Sequence, residues 1–182
     1  MNTHFTLKAS LVVAAMLVLP LAQAATMTKG DYKAGKTRIS EAYKADKAAC
    51  APRAANAKDI CTEEARGKEK VALAELEYGY TGKTTDHNKV LVAKAESNYA
   101  VAKEKCDDKA GNDKDVCLKE AKAVMTKAQA DAKAAQKGTE ARMDANKDKR
   151  DADYKVAAEK CDAMSGDAKD SCVKAAKARY GK

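Results

Sequence analysis

The stretch YAVAKEKCDDKAGNDKDVC, from Tyr99 to Cys117, decides the fold. On one continuous helix, Cys106 and Cys117 would be separated by eleven residues. At a rise of 1.5 Å per residue that is about 16 Å. A disulfide needs Cα atoms about 4.4–6.8 Å apart. A bond between the two therefore requires the helix to turn back between them, and the intervening residues favour a turn. Gly111 suits the left-handed position at a helix C-terminus. Asn112 is a candidate N-cap for a returning helix, with Asp115 close to its positive end.

The same spacing recurs at Tyr43/Cys50/Cys61 and Tyr154/Cys161/Cys172, and no cysteine lies outside the pattern. Six cysteines allow fifteen connectivities. The repetition selects Cys50–Cys61, Cys106–Cys117 and Cys161–Cys172. The expected fold is all-α: three disulfide-stapled antiparallel helical hairpins, elongated or loosely bundled. The third copy repeats the turn with Gly166, Asp167 and Asp170. The first has Ala55 in place of the glycine and adds Pro52, so its turn should be less regular. The acidic and amide residues of the shared string, at Asn56–Cys61, Asn112–Cys117 and Asp167–Cys172, read as helix caps.

Periodicity agrees. Val92, Ala95, Tyr99, Ala102 and Cys106 occupy alternating a and d positions of a heptad, as do Cys117, Ala121, Val124 and Ala128 on the returning side. Antiparallel pairing about the disulfide then sets Tyr99 opposite Val124, Tyr43 near Lys68 and Tyr154 near Arg179. Each tyrosine reads as packing two turns from its crosslink.

Composition explains why crosslinks are needed. Of 182 residues 45% are apolar, but alanine supplies nearly half of them; there is one Phe and no Trp. Alanine, lysine and glutamate favour helix. A buried large side chain contributes about 1.5–3 kcal/mol, while ordering one backbone residue costs about 1–2. A thick core is therefore not available. Closing a loop of about a dozen residues contributes roughly 3 kcal/mol. Three such closures are comparable with a domain's net stability of about 5–15 kcal/mol.

Residues 1–24 read as a secretory signal peptide. Lys8 precedes the apolar run Leu11–Leu19, Pro20 ends it, and Ala22-Gln23-Ala24 offers a small-residue cleavage site. The run is shorter than the roughly 20 residues of a membrane span. Cleavage after Ala24 would leave 25–182 as one mature helical repeat domain without a transmembrane segment. Its hairpins are expected at about 32–78, 85–136 and 139–180. The breaks fall at Tyr78-Gly79-Tyr80-Thr81-Gly82 and at Lys137-Gly138-Thr139, with Thr139 an N-cap. Paired cysteines in an exported chain fit an oxidising compartment, here a bacterial periplasm.

Residues that could carry chemistry read as structural. No cysteine pair has the Cys-x-x-Cys spacing of a thiol–disulfide enzyme. His87, the one histidine after the leader, stands in a polar helix start with no ligand spacing around it. Asp144-Ala145-Asn146-Lys147-Asp148 opens like a calcium loop, but Lys149 and Lys155 occupy the positions that need glycine and glutamate. The stretch reads as a charged helix face. The expectation is no catalytic, cofactor or metal site. Net charge is +8, or +7 once the segment holding Lys8 is removed. An envelope protein or an anionic envelope surface is the candidate partner; nothing indicates specific nucleic-acid binding. Acidic residues interspersed with basic ones read chiefly as a salt-bridged helical surface.

The Ala/Lys-rich segments Val92–Lys105 and Ala121–Lys137, behind an export signal, resemble small envelope proteins of proteobacteria with TolA-like helical composition. That resemblance implies a helical periplasmic protein with a structural or interaction role. It does not extend to a membrane anchor or a compact C-terminal domain.

Overall fold

The computed structural model describes residues 27–182; the expected signal peptide lies outside them. Five helices follow in order: α1 Lys29–Ala49, α2 Ala55–Thr81, α3 Thr84–Cys106, α4 Gly111–Asp162 and α5 Gly166–Tyr180. Among the described residues there is no strand. The all-α, disulfide-stapled hairpin fold is as the spacing predicts.

Helix contacts are sequential. α1 packs on α2, α2 on α3, α3 on α4 and α4 on α5; among the described residues no other pair of helices touches. The arrangement of residues on α2 shows why. Ala65 and Ala72 face α1, lining a cleft with Ile39 and Tyr43. Gly67, on the opposite side of the helix, meets Ser97 of α3. Helix α3 likewise turns one side to α2 and the other to α4, where Gln129 donates to Glu96. The first four helices therefore form a row one helix thick, with both broad faces in water. Such a fold has only seams for a core. The buried apolar residues are small: Ala65, Ala93, Ala95, Ala132 and Ala176, with Val90, Met125, Cys50, Cys61, Cys106 and Cys161.

Two glycines set the closest approaches. A Cβ on Gly35 would lie 2.7 Å from a Leu76 methyl, and one on Gly67 would lie 2.9 Å from the Ser97 Cβ. Both distances are below carbon–carbon contact; at Gly35 the Leu76 methyls would have to move aside, whereas at Gly67 the neighbour is a Cβ fixed to the α3 backbone, so that seam closes only with glycine there.

Helix α4 departs from expectation. The break at Lys137-Gly138-Thr139 is absent, and one helix of 52 residues runs through it. The Thr139 hydroxyl does not cap; it donates to the Ala135 carbonyl at 3.0 Å. One glycine inside a helix costs only about 1 kcal/mol. The alanine- and lysine-rich flanks and the absence of proline let the helix continue. The second and third hairpins thus share α4, which is about 78 Å long at 1.5 Å per residue. Helix α3 covers its first part. Helix α5 returns along its far end, where Lys182 reaches Asp151. Between them residues 141–150 are exposed on every side, so the Asp144–Asp148 stretch is a solvated helix face.

The returning seam of α4 also shifts. Val124 is 66% exposed, while Met125 is buried at 7%. A straight α-helix drifts from a strict heptad, so the seam passes to Met125, whose unbranched chain fills irregular gaps. Tyr99 is consequently not opposite Val124. Its ring lies 5.3 Å below the Lys122 ammonium.

Candidate functional site

The three hinges are the features that the sequence singles out. The structure joins Cys50 to Cys61, Cys106 to Cys117 and Cys161 to Cys172, with Cα separations of 5.6, 5.7 and 5.7 Å. The first cysteine of each pair is 1% exposed. None of the six is free. All six therefore serve as crosslinks at the ends of helix pairs, with the first sulfur of each pair buried and Cys117 and Cys172 half-buried.

The turns use the predicted residues in different roles. Gly111 and Gly166 do take left-handed conformations, both at φ 55°. Each nevertheless opens the returning helix and does not close the outgoing one. Ala55 occupies the same place at φ 48°, a conformation that costs a residue with a Cβ about 1–2 kcal/mol. Asn56, Asn112 and Asp167 are not caps. The cap positions fall on Ala54, Ala110 and Ser165, none of which makes a side-chain cap bond. The Asn56 amide instead donates to the Glu104 carbonyl at 2.6 Å, tying the first hinge to the end of α3.

Ion pairs clasp the other two turns. Lys114 reaches Asp107 at 2.8 Å and Lys169 reaches Asp162 at 2.9 Å. The Lys114 hydrogen bond holds the Asp107 carboxyl below the usual range, and Asp107 raises Lys114 in turn. The aspartate follows the first cysteine in copies two and three. Copy one has Ala51 there. The recurrent Cys-Asp with Lys seven residues beyond the aspartate was the available signal.

Two further clusters were not anticipated. The turn between α2 and α3 has no disulfide. Gly82 closes α2 at φ 65°, and buried Asp86 holds the corner. Its carboxylate accepts from the Thr81 hydroxyl and from Lys89 at 2.8 Å. The Lys89 and then the Thr81 hydrogen bond lower its pKa. Nearby, Tyr32 stacks on Tyr80 with centroids 4.7 Å apart, and its hydroxyl donates to Glu77. By accepting that hydrogen bond, Glu77 raises the Tyr32 pKa. His87 lies against Tyr78 at 4.9 Å. At the far end, Asp151 accepts from both Lys182 and Lys147, and those hydrogen bonds lower its pKa to about 2.

The broad faces carry shallow clefts. One, about 670 Å³, lies between α2 and α3, lined by half-buried Val71 and Val101 and, on its rim, by exposed Lys68, Lys94 and Lys105. Most of this rim is neutralised across helices: Lys68 pairs with Asp46 at 3.1 Å and Lys94 with Glu75 at 2.7 Å. Lys70 similarly pairs with Glu96. Among the described residues no cluster of three or more His, Cys, Asp or Glu side chains is placed to hold a metal ion.

Fold and hinges together define a disulfide-stapled, single-layer helical array. No protein-family model matches the chain, and comparison with curated proteins and with solved structures finds no match.

Proposed function

We propose that this chain is a non-enzymatic helical repeat protein of the bacterial periplasm. It would be exported by residues 1–24 with cleavage after Ala24, and would serve a structural or protein-interaction role at the cell envelope. The observation that carries this reading is the single-layer row. A fold that stacks helices only on sequence neighbours presents an extended binding surface for its size, as other one-dimensional helical arrays do. The three disulfides supply stability that leaves both faces uncovered, and they are compatible with an oxidising environment. No described helix is long and apolar enough to cross a membrane. The TolA-like composition supports the same compartment.

The pairing of Lys68, Lys70, Lys89 and Lys94 with carboxylates favours this reading over capture of polyanions by basic faces. The test is affinity capture from envelope extracts across a salt series, alongside co-sedimentation with anionic vesicles. A discrete protein partner retained at moderate salt is expected. Binding to vesicles alone, lost as salt rises, would replace this reading with the polyanion one.

A further inference from the structure

The three crosslinked helix pairs differ in what else holds them. Besides Cys50–Cys61, α1 and α2 are joined by the Tyr32–Tyr80 stack, the Tyr32–Glu77 hydrogen bond and the Gly35–Leu76 contact. Besides Cys106–Cys117, α3 and α4 share the Gln129–Glu96 hydrogen bond, and α4 buries Met125 and Ala132 along the part that α3 covers. Besides Cys161–Cys172, α5 has one buried residue, Ala176, and two surface ion pairs.

Packing that holds two thiols together also stabilises the bond between them. Where the packing outlasts reduction, the thiols stay at high effective concentration and the bond re-forms. Helix α5 has 15 residues, a length at which an isolated helix is marginal in water. Cutting Cys161–Cys172 therefore lets α5 detach and the thiols part. The bond is also reachable. Both cysteines line an open cleft of about 500 Å³ between α4 and α5. Cys172 is half-buried, whereas Cys50 and Cys61 are both buried. Cys117 is half-buried too, but its helices stay packed once the bond is cut. Lys160 and Arg179 flank the α4–α5 cleft, with Asp153 the one carboxylate among its lining residues. An incoming thiolate thus meets more positive than negative charge. Exposed disulfides are the reducible, regulatory ones.

We propose that Cys161–Cys172 is a redox switch: a dithiol reduces it ahead of the other two crosslinks, and α5 then leaves the end of α4. One thiolate of the dithiol attacks the Cys172 sulfur, the S–S bond breaks, and Cys161 leaves as a thiolate and is protonated. The second thiolate attacks the reductant's own sulfur in the mixed disulfide and releases Cys172, which is protonated in turn. Two electrons and two protons pass from the dithiol to the pair, leaving two cysteine thiols and one oxidised dithiol. The Cys161 thiol has an acceptor in place, because the Ala157 carbonyl lies 3.3 Å from its sulfur. Release uncovers Ala157 and Cys161 on α4, while the first four helices keep their seams. The redox state of the pair sets the surface at the far end of α4, whichever partner the row binds.

The mature protein is equilibrated in buffers of graded reduced-to-oxidised dithiothreitol ratio, quenched with a thiol alkylator and mapped by peptide mass. Cys161 and Cys172 should be half-labelled at a ratio at least about tenfold below that of either other pair, a difference of about 30 mV. Hydrogen exchange at 166–180 should accelerate over the same range, with residues 29–135 still protected. Labelling of the three pairs together, or of another pair first, would overturn the proposal. So would full reduction of Cys161–Cys172 with 166–180 still protected.

Discussion

Replacing Cys161 and Cys172 with serine should free α5 and leave the rest of the row intact. Helix α5 has 15 residues and touches only α4. Its own buried contribution is one alanine, Ala176, with the Lys169–Asp162 and Lys182–Asp151 pairs at the surface. Isolated helices of this length are marginal in water, and exposed ion pairs contribute about 0–1 kcal/mol each. The disulfide closes a loop of sequence separation 11. Removing it should lose about 3 kcal/mol of loop-closure stabilisation, which is roughly a 100-fold rise in local opening. Amide hydrogen exchange read by mass spectrometry would report this at 166–180. Exchange there should accelerate by about that factor, with residues 29–135 unchanged. Helical ellipticity should drop by no more than α5's share. The reasoning fails if 166–180 keeps its protection. It fails differently if protection falls equally along the chain, because the row would then melt as one unit.

Three further outcomes follow from local geometry. Ala55→Gly should raise stability by up to about 1 kcal/mol by relieving the left-handed alanine, whereas Gly111→Ala should cost about 1–2; thermal melts of the oxidised proteins measure both. Gly67→Val should destabilise by about 1–3 kcal/mol, because its Cβ would lie 2.9 Å from the Ser97 Cβ and force α2 from α3; urea titration checks this. Acid should loosen two places. Asp86 and Asp151 have folded pKa values below the ordinary 3.8, Asp151 at about 2. Their contributions are present above about pH 4 and disappear as pH falls through the folded values. Melting temperature should drop between about pH 4 and pH 2, and Asp151→Asn should remove the portion belonging to the α4–α5 end.

The hinges were legible in the sequence because a covalent constraint is sharp. Helix rise and disulfide geometry leave one arrangement for Cys106 and Cys117, and repetition extends it to the other pairs. The turn chemistry was only half legible. Glycine's tolerance of positive φ located the turns at Gly111 and Gly166, but not which helix each belongs to. Asn56 looked like a cap because its side chain suits one. Its actual partner, the Glu104 carbonyl, is 48 residues away, a distance at which local pattern is silent.

Gly138 misled for the opposite reason. Its local signal of a break was outweighed by the helix-forming residues on both sides. The role of Asp86 was hidden because burial of a carboxylate depends on how α2 and α3 meet. Nothing in the local sequence marks Gly35 and Gly67, and only the seam positions of Leu76 and Ser97 reveal them as contact sites.

The central claim is that the pairs α1–α2, α3–α4 and α4–α5 are each closed by their own crosslink. Proteolysis of the unreduced protein followed by peptide mass mapping tests it directly, since lysines lie between the cysteines of every pair. The account predicts three linked peptides, joining Cys50 to Cys61, Cys106 to Cys117 and Cys161 to Cys172, and no free thiol. A peptide linking cysteines of different copies, or a population of free thiols in the folded protein, would contradict it.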